Sequence, residues 1–385
     1  MATIRKRSDS YQIRVSCGYD ANGKQVTRTK SWKPKPNMTK KQIEKELNRQ
    51  AVLFEEACMN GLVTSSVKFC DFIEQWKDGY AKKNYKLMTI DTMQHIMKRV
   101  NEELGHMRLS KISRRHIQAF INSLSDGNEK YKPLGPKTVR NYINYTSSIF
   151  EYAIRLNLVS NNPCSKIILP ALKKVEREVY TLTEAQTFID TLIQKAPIVF
   201  QTYFILAIYG GLRRGELCGL TWNDIDFENE IISIDKALYH ISNKGSTLDT
   251  PKSASSNRSL KLPSEVFEFF RKLKIFYENE KCRLGSYWND TEFVFKDEDG
   301  NSLSPLKPNR WLHRFCENEN LKYVTPHSFR HLCASLMIDS GASVKTVQAC
   351  LGHSDASTTL NIYAHSFAKA QAKASEAVAS NFKLC

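Results

Sequence analysis

The chain has no closely spaced cysteine pair and no long apolar run. Its ten cysteines are scattered, and the closest two, Cys58 and Cys70, lie twelve residues apart. This scatter excludes a disulfide framework or a zinc module and favours reduced thiols in a cytosolic protein. No window approaches the roughly eighteen apolar residues of a membrane span, and the first residues lack the apolar stretch of a signal peptide. We therefore expect a cytoplasmic protein with no membrane partner.

Acidic side chains are scarce in the first part of the chain. Residues 1–170 contain 30 lysines and arginines but only 15 aspartates and glutamates, whereas residues 171–385 contain 26 and 25. The amino-terminal part therefore carries nearly all of the net charge of +16, and this asymmetry predicts a polyanionic partner such as DNA. The carboxylates are dispersed, which disfavours a metal-dependent nuclease because that chemistry needs clustered acidic ligands.

The pattern over residues 1–65 predicts a small domain with a short β-sheet and one helix. Alternating side chains over 11–17 and 25–32 are typical of a β-hairpin. Thr39 and Gln42 form a capping box that starts the helix. The basic residues of the sheet are Arg14, Lys24, Arg28 and Lys30. We expect them to form a basic face that enters a DNA major groove; the alternative is a solvated sheet face.

Residues 66–168 predict an all-helical domain. Apolar side chains recur at helical spacing in four segments, 67–83, 89–104, 113–124 and 136–156. Its candidate phosphate contacts are Lys82, Lys83, Lys86, Arg114, Arg115, Lys132, Lys137 and Arg140. Residues 169–180 are polar, contain proline and lack a clear period, which predicts a linker.

Residues 181–385 predict a mixed α+β domain, so the whole chain is expected to be mainly α-helical and multidomain. Its small sheet is predicted from the segments 226–235, 237–242 and 257–262. Lys252 then lies in the loop between the last two of these strands. Residues 367–382 are rich in alanine and predict a helix near the end of the chain.

Six residues of this last domain suit phosphodiester chemistry: Arg213, Lys252, His327, Arg330, His353 and Tyr363. An arginine fork binds two phosphate oxygens and stays charged, so the two arginines are predicted to stabilise the transition state. Histidine and lysine move protons near neutral pH, so we expect the lysine to protonate a leaving 5′ oxygen. The tyrosine is the predicted nucleophile. Each residue alone also fits an ordinary surface position, so the prediction depends on the whole set.

The motifs that carry these residues resemble the tyrosine recombinases, the phage integrase family. The matching segments are 209–217, 325–331 and 351–363, together with Lys252. The six residues fall one by one on the family's active-site positions, and Glu216 falls on an acidic position that helps to hold the site together. The resemblance spans essentially the whole chain and is strongest with integrases of conjugative transposons from Gram-positive bacteria. Ala254 stands where many relatives carry a second lysine, which leaves Lys252 as the expected acid, with Arg258 or Lys261 as less favoured stand-ins.

The resemblance also implies an organisation and an assembly. Residues 1–65 become an arm-type DNA-binding domain, 66–168 a core-binding domain and 181–385 the catalytic domain, in a bacterial cytoplasm at the nucleoid. Four protomers hold two duplexes, and the helix at 367–382 docks on a neighbouring protomer or packs within its own chain. Excisionase and DNA-bending proteins are expected partners, and no metal, cofactor or ATP is needed.

The function that the resemblance implies is integration and excision of a mobile element through a 3′-phosphotyrosine and a Holliday junction. A type IB topoisomerase shares the tyrosine chemistry, but it does not need a separate basic amino-terminal domain. A non-catalytic DNA-binding regulator of the same fold is a second alternative, and the presence of all six residues argues against it.

Overall fold

The computed structural model describes residues 2–19, 25–36, 38–59, 67–172, 178–242, 244–249 and 257–352. The chain forms two compact units, residues 1–174 and residues 175–385. The expected boundaries after residues 65, 168 and 180 stay predictions. In the described part of the chain, no helix is both long and apolar enough to span a membrane.

The first unit begins with a three-stranded antiparallel sheet in the order β1-β2-β3. The strands are β1 (Thr3–Arg7), β2 (Ser10–Tyr19) and β3 (Gln25–Trp32). Helix α1 (Lys40–Met59) follows, and the predicted capping box is present before it. The Thr39 amide donates to Gln42 Oε1 over 2.9 Å, and the Gln42 amide donates to Thr39 Oγ1 over 3.4 Å. Ile13, Leu47 and Ala51 form a small core between the sheet and this helix.

The elements between residues 67 and 155 are helical, as the apolar spacing predicts. The first predicted helix is three consecutive segments, namely α2 (Phe69–Trp76), a π-helical turn (Lys77–Ala81) and α3 (Lys82–Asn84). The remaining helices are α4 (Leu87–Leu104), a 3₁₀ turn (Leu109–Lys111), α5 (Arg114–Asp126) and α6 (Pro136–Arg155). Their apolar stripes meet in one core that includes Phe69, Trp76, Phe120 and Phe150.

The second unit is built around one apolar helix. Its first elements are α7 (Leu182–Lys195), α8 (Ile198–Gly210), α9 (Arg214–Gly219) and a 3₁₀ turn (Trp222–Asp224). Helix α8 is apolar on all sides and is mostly buried, as a central core helix must be. Tyr203, Phe204 and Leu206 of α8 are at the centre of the main core.

In the described residues after α9 there are five short strands: β4 (Ile225–Asp226), β5 (Ile231–Ile234), β6 (Ala237–Ile241), β7 (Gly245–Asp249) and β8 (Arg258–Lys261). They form two sheets, one in the order β4-β5-β8 and a separate β6-β7 hairpin. The expected pairing of 226–235 and 257–262 in one sheet is present, but the expected place of 237–242 in that sheet is wrong, because β6 pairs with β7 instead. The polar sequence of β7 resembles a loop, and the positive φ of Gly245 permits the tight turn that pairs β7 with β6.

Helices complete the described part of the second unit. They are α10 (Ser264–Leu284), a 3₁₀ turn (Gly285–Tyr287), α11 (Lys307–Asn318), α12 (Pro326–Asp339) and α13 (Val344–Leu351). Helix α12 packs on α8 and α13 packs on α12. The expected fold class, mainly helical with small sheets and several domains, is confirmed.

Candidate active site

A tight turn after α8 places Arg213. Gly211 adopts φ 57°, and a β-carbon there would lie 2.5 Å from Leu351 Cδ2, so a larger residue meets both strain and a steric clash. Arg213 is the residue that precedes α9, and its amide donates to Glu216 Oε2 over 2.9 Å. Arg213 Nη1 donates to Glu216 Oε1 over 2.6 Å. Glu216 therefore fixes both the backbone and the guanidinium of Arg213.

Arg330 lies on α12 and is almost wholly buried, with 2% of its surface exposed. Its Nη1 donates to the Gly211 carbonyl over 2.7 Å and its Nη2 to the Leu351 carbonyl over 2.5 Å. Burial, followed by the positive charges of Arg213 and Arg258, lowers the pKa of Arg330 to about 9. The side chain therefore keeps its charge at neutral pH.

His327 lies one turn before Arg330, near the start of α12, and is exposed. Its ring meets that of His331 edge to face, with 4.9 Å between the ring centroids. An exposed imidazole at the edge of a cationic site is suited to donate to a phosphate oxygen or to transfer a proton.

Glu216 is buried and is shared by two arginines. In addition to the bonds from Arg213, Glu216 Oε2 accepts from Arg258 Nη2 over 2.9 Å, and Oε1 accepts from Arg258 Nη1 over 3.3 Å. Burial alone raises the pKa of this carboxyl, but hydrogen bonds and charge from Arg258 and then Arg213 outweigh burial and hold the pKa below its ordinary value. Glu216 is therefore ionised, and its expected supporting position beside Arg213 agrees with this geometry.

Three arginines converge on the carboxyl end of α13. The carbonyls of Cys350, Leu351 and Gly352 accept from Arg258 Nε, Arg330 Nη2 and Arg213 Nη2, over 2.7, 2.5 and 2.5 Å. The last carbonyls of a helix have no partner within the helix and carry its negative dipole end, so cations stabilise them.

The cluster of Arg213, Arg258, Arg330 and Glu216 has two more positive charges than negative ones. About a third of the Arg213 side chain, 37%, is exposed, so this guanidinium borders solvent. Arg213 and Arg330 have further N–H groups that these hydrogen bonds do not use, and such groups can donate to a bound oxyanion. The structure thus brings together Arg213, Glu216 and Arg330, whereas Lys252, His353 and Tyr363 lie outside the described residues.

Arg258 and Lys261, the two stand-ins for Lys252, occupy different environments on β8. Arg258 donates to both carboxylate oxygens of Glu216 and to the Cys350 carbonyl, so contacts within the protein occupy much of its donor capacity. Lys261 is exposed at the other end of the strand. The sequence motif suggests Arg258 only as a substitute acid, whereas in the structure it anchors Glu216 and the end of α13.

The basic residues predicted to share one face of the amino-terminal sheet lie on its two opposite faces. Lys30 pairs with the buried Ile13, and Arg28 pairs with the buried Val15, so both lie on the side of α1. Lys30 Nζ donates to Gln50 of α1 over 3.0 Å.

Arg14 lies on the opposite, open face of this sheet. In the sheet, Arg14 pairs with Thr3 of β1 and Thr29 of β3. Gln12 lies two residues before Arg14 in β2 and pairs with Arg5 of β1, so both face the same side as Arg14. A shared face of Arg14, Arg28 and Lys30 is therefore wrong, and Lys24 lies outside the described residues. Arg5 of β1 and Gln12 of β2, which share this open face with Arg14, were not among the predicted residues.

The basic residues of the helical region also differ in environment. Arg114, Arg115 and Lys137 are exposed in the first turns of α5 and α6, where the helix dipole also attracts anions. Lys82 forms an ion pair with Asp78 over 2.7 Å, and Lys83 is exposed. Arg140 donates to the Pro170 carbonyl over 3.1 Å, so this contact within the protein occupies part of its donor capacity.

The sequence matches two known family profiles. Residues 178–370, half of the chain, match the "Phage integrase family", and residues 68–125 match "Phage integrase, N-terminal SAM-like domain". A "Tyrosine recombinase XerC-like" protein of Caldanaerobacter subterraneus subsp. tengcongensis is 28% identical, over 97% of this chain and 96% of that protein. The "ICEBs1 integrase" of Bacillus subtilis is 25% identical, over 96% and 97%.

Among solved structures, the fold is similar to that of the Tn1549 transposon integrase in complex with transposon right end DNA. The TM-score is 0.69 with 21% identity, over 81% of this chain and all of that one. The expected family is therefore confirmed by the profile matches and by relatives that align over nearly the full length. The chain belongs to the phage integrase family, the tyrosine recombinases, enzymes that cleave and rejoin DNA.

Proposed function

We propose that this protein integrates and excises a mobile DNA element by site-specific recombination, with Tyr363 as the nucleophile. The proposal depends on the pair Arg213 and Arg330. Arg213 is bonded to Glu216 and to the end of α13, Arg330 is bonded to the same end of α13, and the exposed His327 lies one turn before Arg330. Pre-placed cations of this kind stabilise the charge that develops on a phosphodiester during substitution.

In the proposed reaction, the Tyr363 oxygen forms a bond to the scissile phosphorus while the bond from phosphorus to the 5′ oxygen breaks. Lys252 gives a proton to the leaving oxygen, and His327 or His353 accepts the phenolic proton. The products are a 3′-phosphotyrosine and a free 5′ hydroxyl. That hydroxyl attacks the phosphotyrosine of the partner duplex, which releases tyrosine and conserves the number of phosphodiester bonds, so ATP is not consumed.

Arg213 and Arg330 supply the cationic charge that metal ions supply in other nucleases. Two duplexes contain four strands to be cut, and each protomer contributes one tyrosine, so we propose a tetramer on DNA. Docking of residues 367–382 on a neighbouring protomer, and help from excisionase and DNA-bending proteins, belong to the same proposal.

The exposed basic residues are proposed to bind DNA, those of the amino-terminal sheet at arm-type sites away from the crossover and those of the helical region at the core site. The open face of the amino-terminal sheet, with Arg5, Gln12 and Arg14, presents the donors and acceptors that base edges in a major groove require. Arg114, Arg115 and Lys137 at helix starts are proposed to contact phosphates. The linker at 169–180 would let the two units close around DNA.

A covalent-trapping assay tests the proposal. The full-length protein is mixed, in EDTA, with a nicked duplex that carries the end sequence of its parent element, and the products are separated on a denaturing gel. We expect a protein–DNA band that is absent for Tyr363→Phe, because phenylalanine lacks the attacking oxygen. Tyr363→Phe should still shift the same duplex on a native gel, which controls for binding. A band that persists in this variant would place the nucleophile elsewhere.

A further inference from the structure

Arg258 connects three elements of the site from a buried position on β8. Only 6% of its side chain is exposed. Its Nη1 and Nη2 atoms donate to the two carboxylate oxygens of Glu216, and its Nε donates to the Cys350 carbonyl over 2.7 Å. One planar guanidinium thus joins β8 to the start of α9 and to the end of α13.

These contacts complete a chain of bonds that reaches Arg213. Glu216 uses the same two oxygens to accept from the amide and the Nη1 of Arg213. Arg213 in turn donates to the Gly352 carbonyl, two residues after the carbonyl that Arg258 holds. Without Arg258, a 97% buried carboxylate side chain would depend on Arg213 alone, and the Cys350 carbonyl would lose this donor.

We propose that Arg258 is a positioning residue of the cleavage reaction, which fixes Glu216 and the end of α13 so that Arg213 meets the scissile phosphate in one orientation. This proposal rests on the proposed function. It differs from a purely structural role because it predicts loss of rate in protein that is folded and bound to DNA.

Lysine at this position provides a graded test. A lysine ammonium restores the positive charge beside Glu216, but it is a point charge and does not reproduce a planar fork that reaches two carboxylate oxygens and a carbonyl. Glutamine removes the charge. The order of cleavage rates should therefore be wild type, Arg258→Lys, Arg258→Gln.

The pH dependence of cleavage separates positioning from general stability. Among the described residues, the charged or titratable groups that face Glu216 are Arg213, which precedes α9, Arg258 of β8 and Arg330 of α12, and Cys333 lies next to Arg330. In the wild type the two neighbouring arginines outweigh burial and keep Glu216 ionised. When Arg258 is replaced by glutamine, burial prevails and the pKa of Glu216 rises. As the pH falls through that raised pKa, Glu216 becomes protonated and no longer orients Arg213, so the cleavage rate falls.

The experiment measures single-turnover cleavage of the nicked duplex by full-length protein between about pH 5.5 and 8, with DNA affinity and thermal unfolding recorded for each variant. The variants are Arg258→Gln, Arg258→Lys, Glu216→Gln and the double variant Glu216→Gln/Arg258→Gln. We expect Arg258→Gln to bind DNA nearly as the wild type does, to cleave roughly 100-fold more slowly, and to lose further rate as the pH falls. The double variant should lack that additional pH step, because no carboxyl remains to titrate.

Two results would overturn the proposal. Cleavage by Arg258→Gln at the wild-type rate would show that Arg258 positions nothing. The second result is that the cleavage rate and DNA binding both fall in proportion to the folded fraction, at every pH and to the same extent in Arg258→Lys. That result would show that Arg258 has a structural role only. If Arg258→Gln does not fold, the cleavage rate of folded Arg258→Lys is compared with that of the wild type. A lower rate supports the positioning role, and an equal rate contradicts it. Failure of the wild type to form any adduct would instead contradict the proposed function on which this inference rests.

Discussion

The two compact units use positive charge in different ways. In the first unit, Arg14, Arg115 and Lys137 are exposed, and the surrounding sequence has twice as many basic as acidic residues. In the second unit, overall charge is nearly balanced, yet Arg258 and Arg330 are buried with carboxylate and carbonyl partners. Exposed cations attract a duplex with little regard to geometry, and salt screens them. Buried cations have fixed directions, which is what a transition state requires.

The difference teaches that total charge is a poor guide to where chemistry occurs. A buried charge without a partner destabilises a fold by several kcal/mol, so a buried arginine persists only with acceptors that also fix its orientation. Arg330 has the Gly211 and Leu351 carbonyls, and Arg258 has Glu216 and the Cys350 carbonyl. Substitutions in the second unit should therefore change the cleavage rate, and substitutions in the first should change affinity.

Arg213→Lys is expected to have the largest effect. Lysine keeps the charge but loses the fork that donates to Glu216 and Gly352 while further N–H groups remain for phosphate. We expect the single-turnover cleavage rate to fall by about 100- to 1,000-fold while affinity for site DNA changes little. The matched control is Arg115→Lys, the same substitution at an exposed residue of the first unit, which should alter neither quantity much. Near-normal cleavage by Arg213→Lys would break the comparison.

Gly211→Ala should have the second largest effect. The left-handed conformation at φ 57° and the clash with Leu351 Cδ2 together should destabilise the second unit by about 1–3 kcal/mol. Because the Gly211 carbonyl accepts from Arg330, the cleavage rate per folded molecule should also fall. Thermal unfolding and single-turnover cleavage measure the two effects separately.

Gly285→Ala is the control for this prediction. Gly285 also has φ 57°, but its ψ is −122° where Gly211 has 29°, so its backbone is at least as strained for alanine, and nothing lies within 4 Å of the β-carbon that alanine would add. It should lower stability through backbone strain and leave the cleavage rate of folded protein unchanged. Equal losses of rate in the two variants would show that Gly211 has no special relation to Arg330.

Much of the helical structure and part of the site could be predicted from the sequence. Helical periodicity and the Thr39 cap mark helices by local rules, and the motif order brings Arg213, Glu216 and Arg330 to one place. The anchoring contacts of Arg258 could not be predicted, because they depend on the approach of β8 to α9 and α13, which are distant in sequence. The partner of β6 was also missed, because β7 has little apolar character and its pairing depends on the turn at Gly245.

The faces of the amino-terminal sheet show the same limit. Alternation indicates which residues of one strand share a face, but the register between strands decides how two strands combine. Arg14 pairs with Thr29, so Arg14 faces away from Arg28 and Lys30 although all three are basic strand residues. Composition alone does not determine that pairing, so the register seen in the structure is needed to separate the two sets.

The smallest expected effect tests these two faces against each other. Arg5→Ala/Arg14→Ala removes two positive charges from the open face, and Arg28→Ala/Lys30→Ala removes two from the side of α1. If the open face contacts DNA phosphates, the first variant should lower the slope of log affinity against log salt by about two and weaken arm-site binding by roughly tenfold. The second variant carries the same net charge, so a long-range effect of charge would change both equally. Equal salt slopes, measured by titration over a range of salt concentrations, would mean that the sheet only adds to the overall field and that neither face docks on DNA.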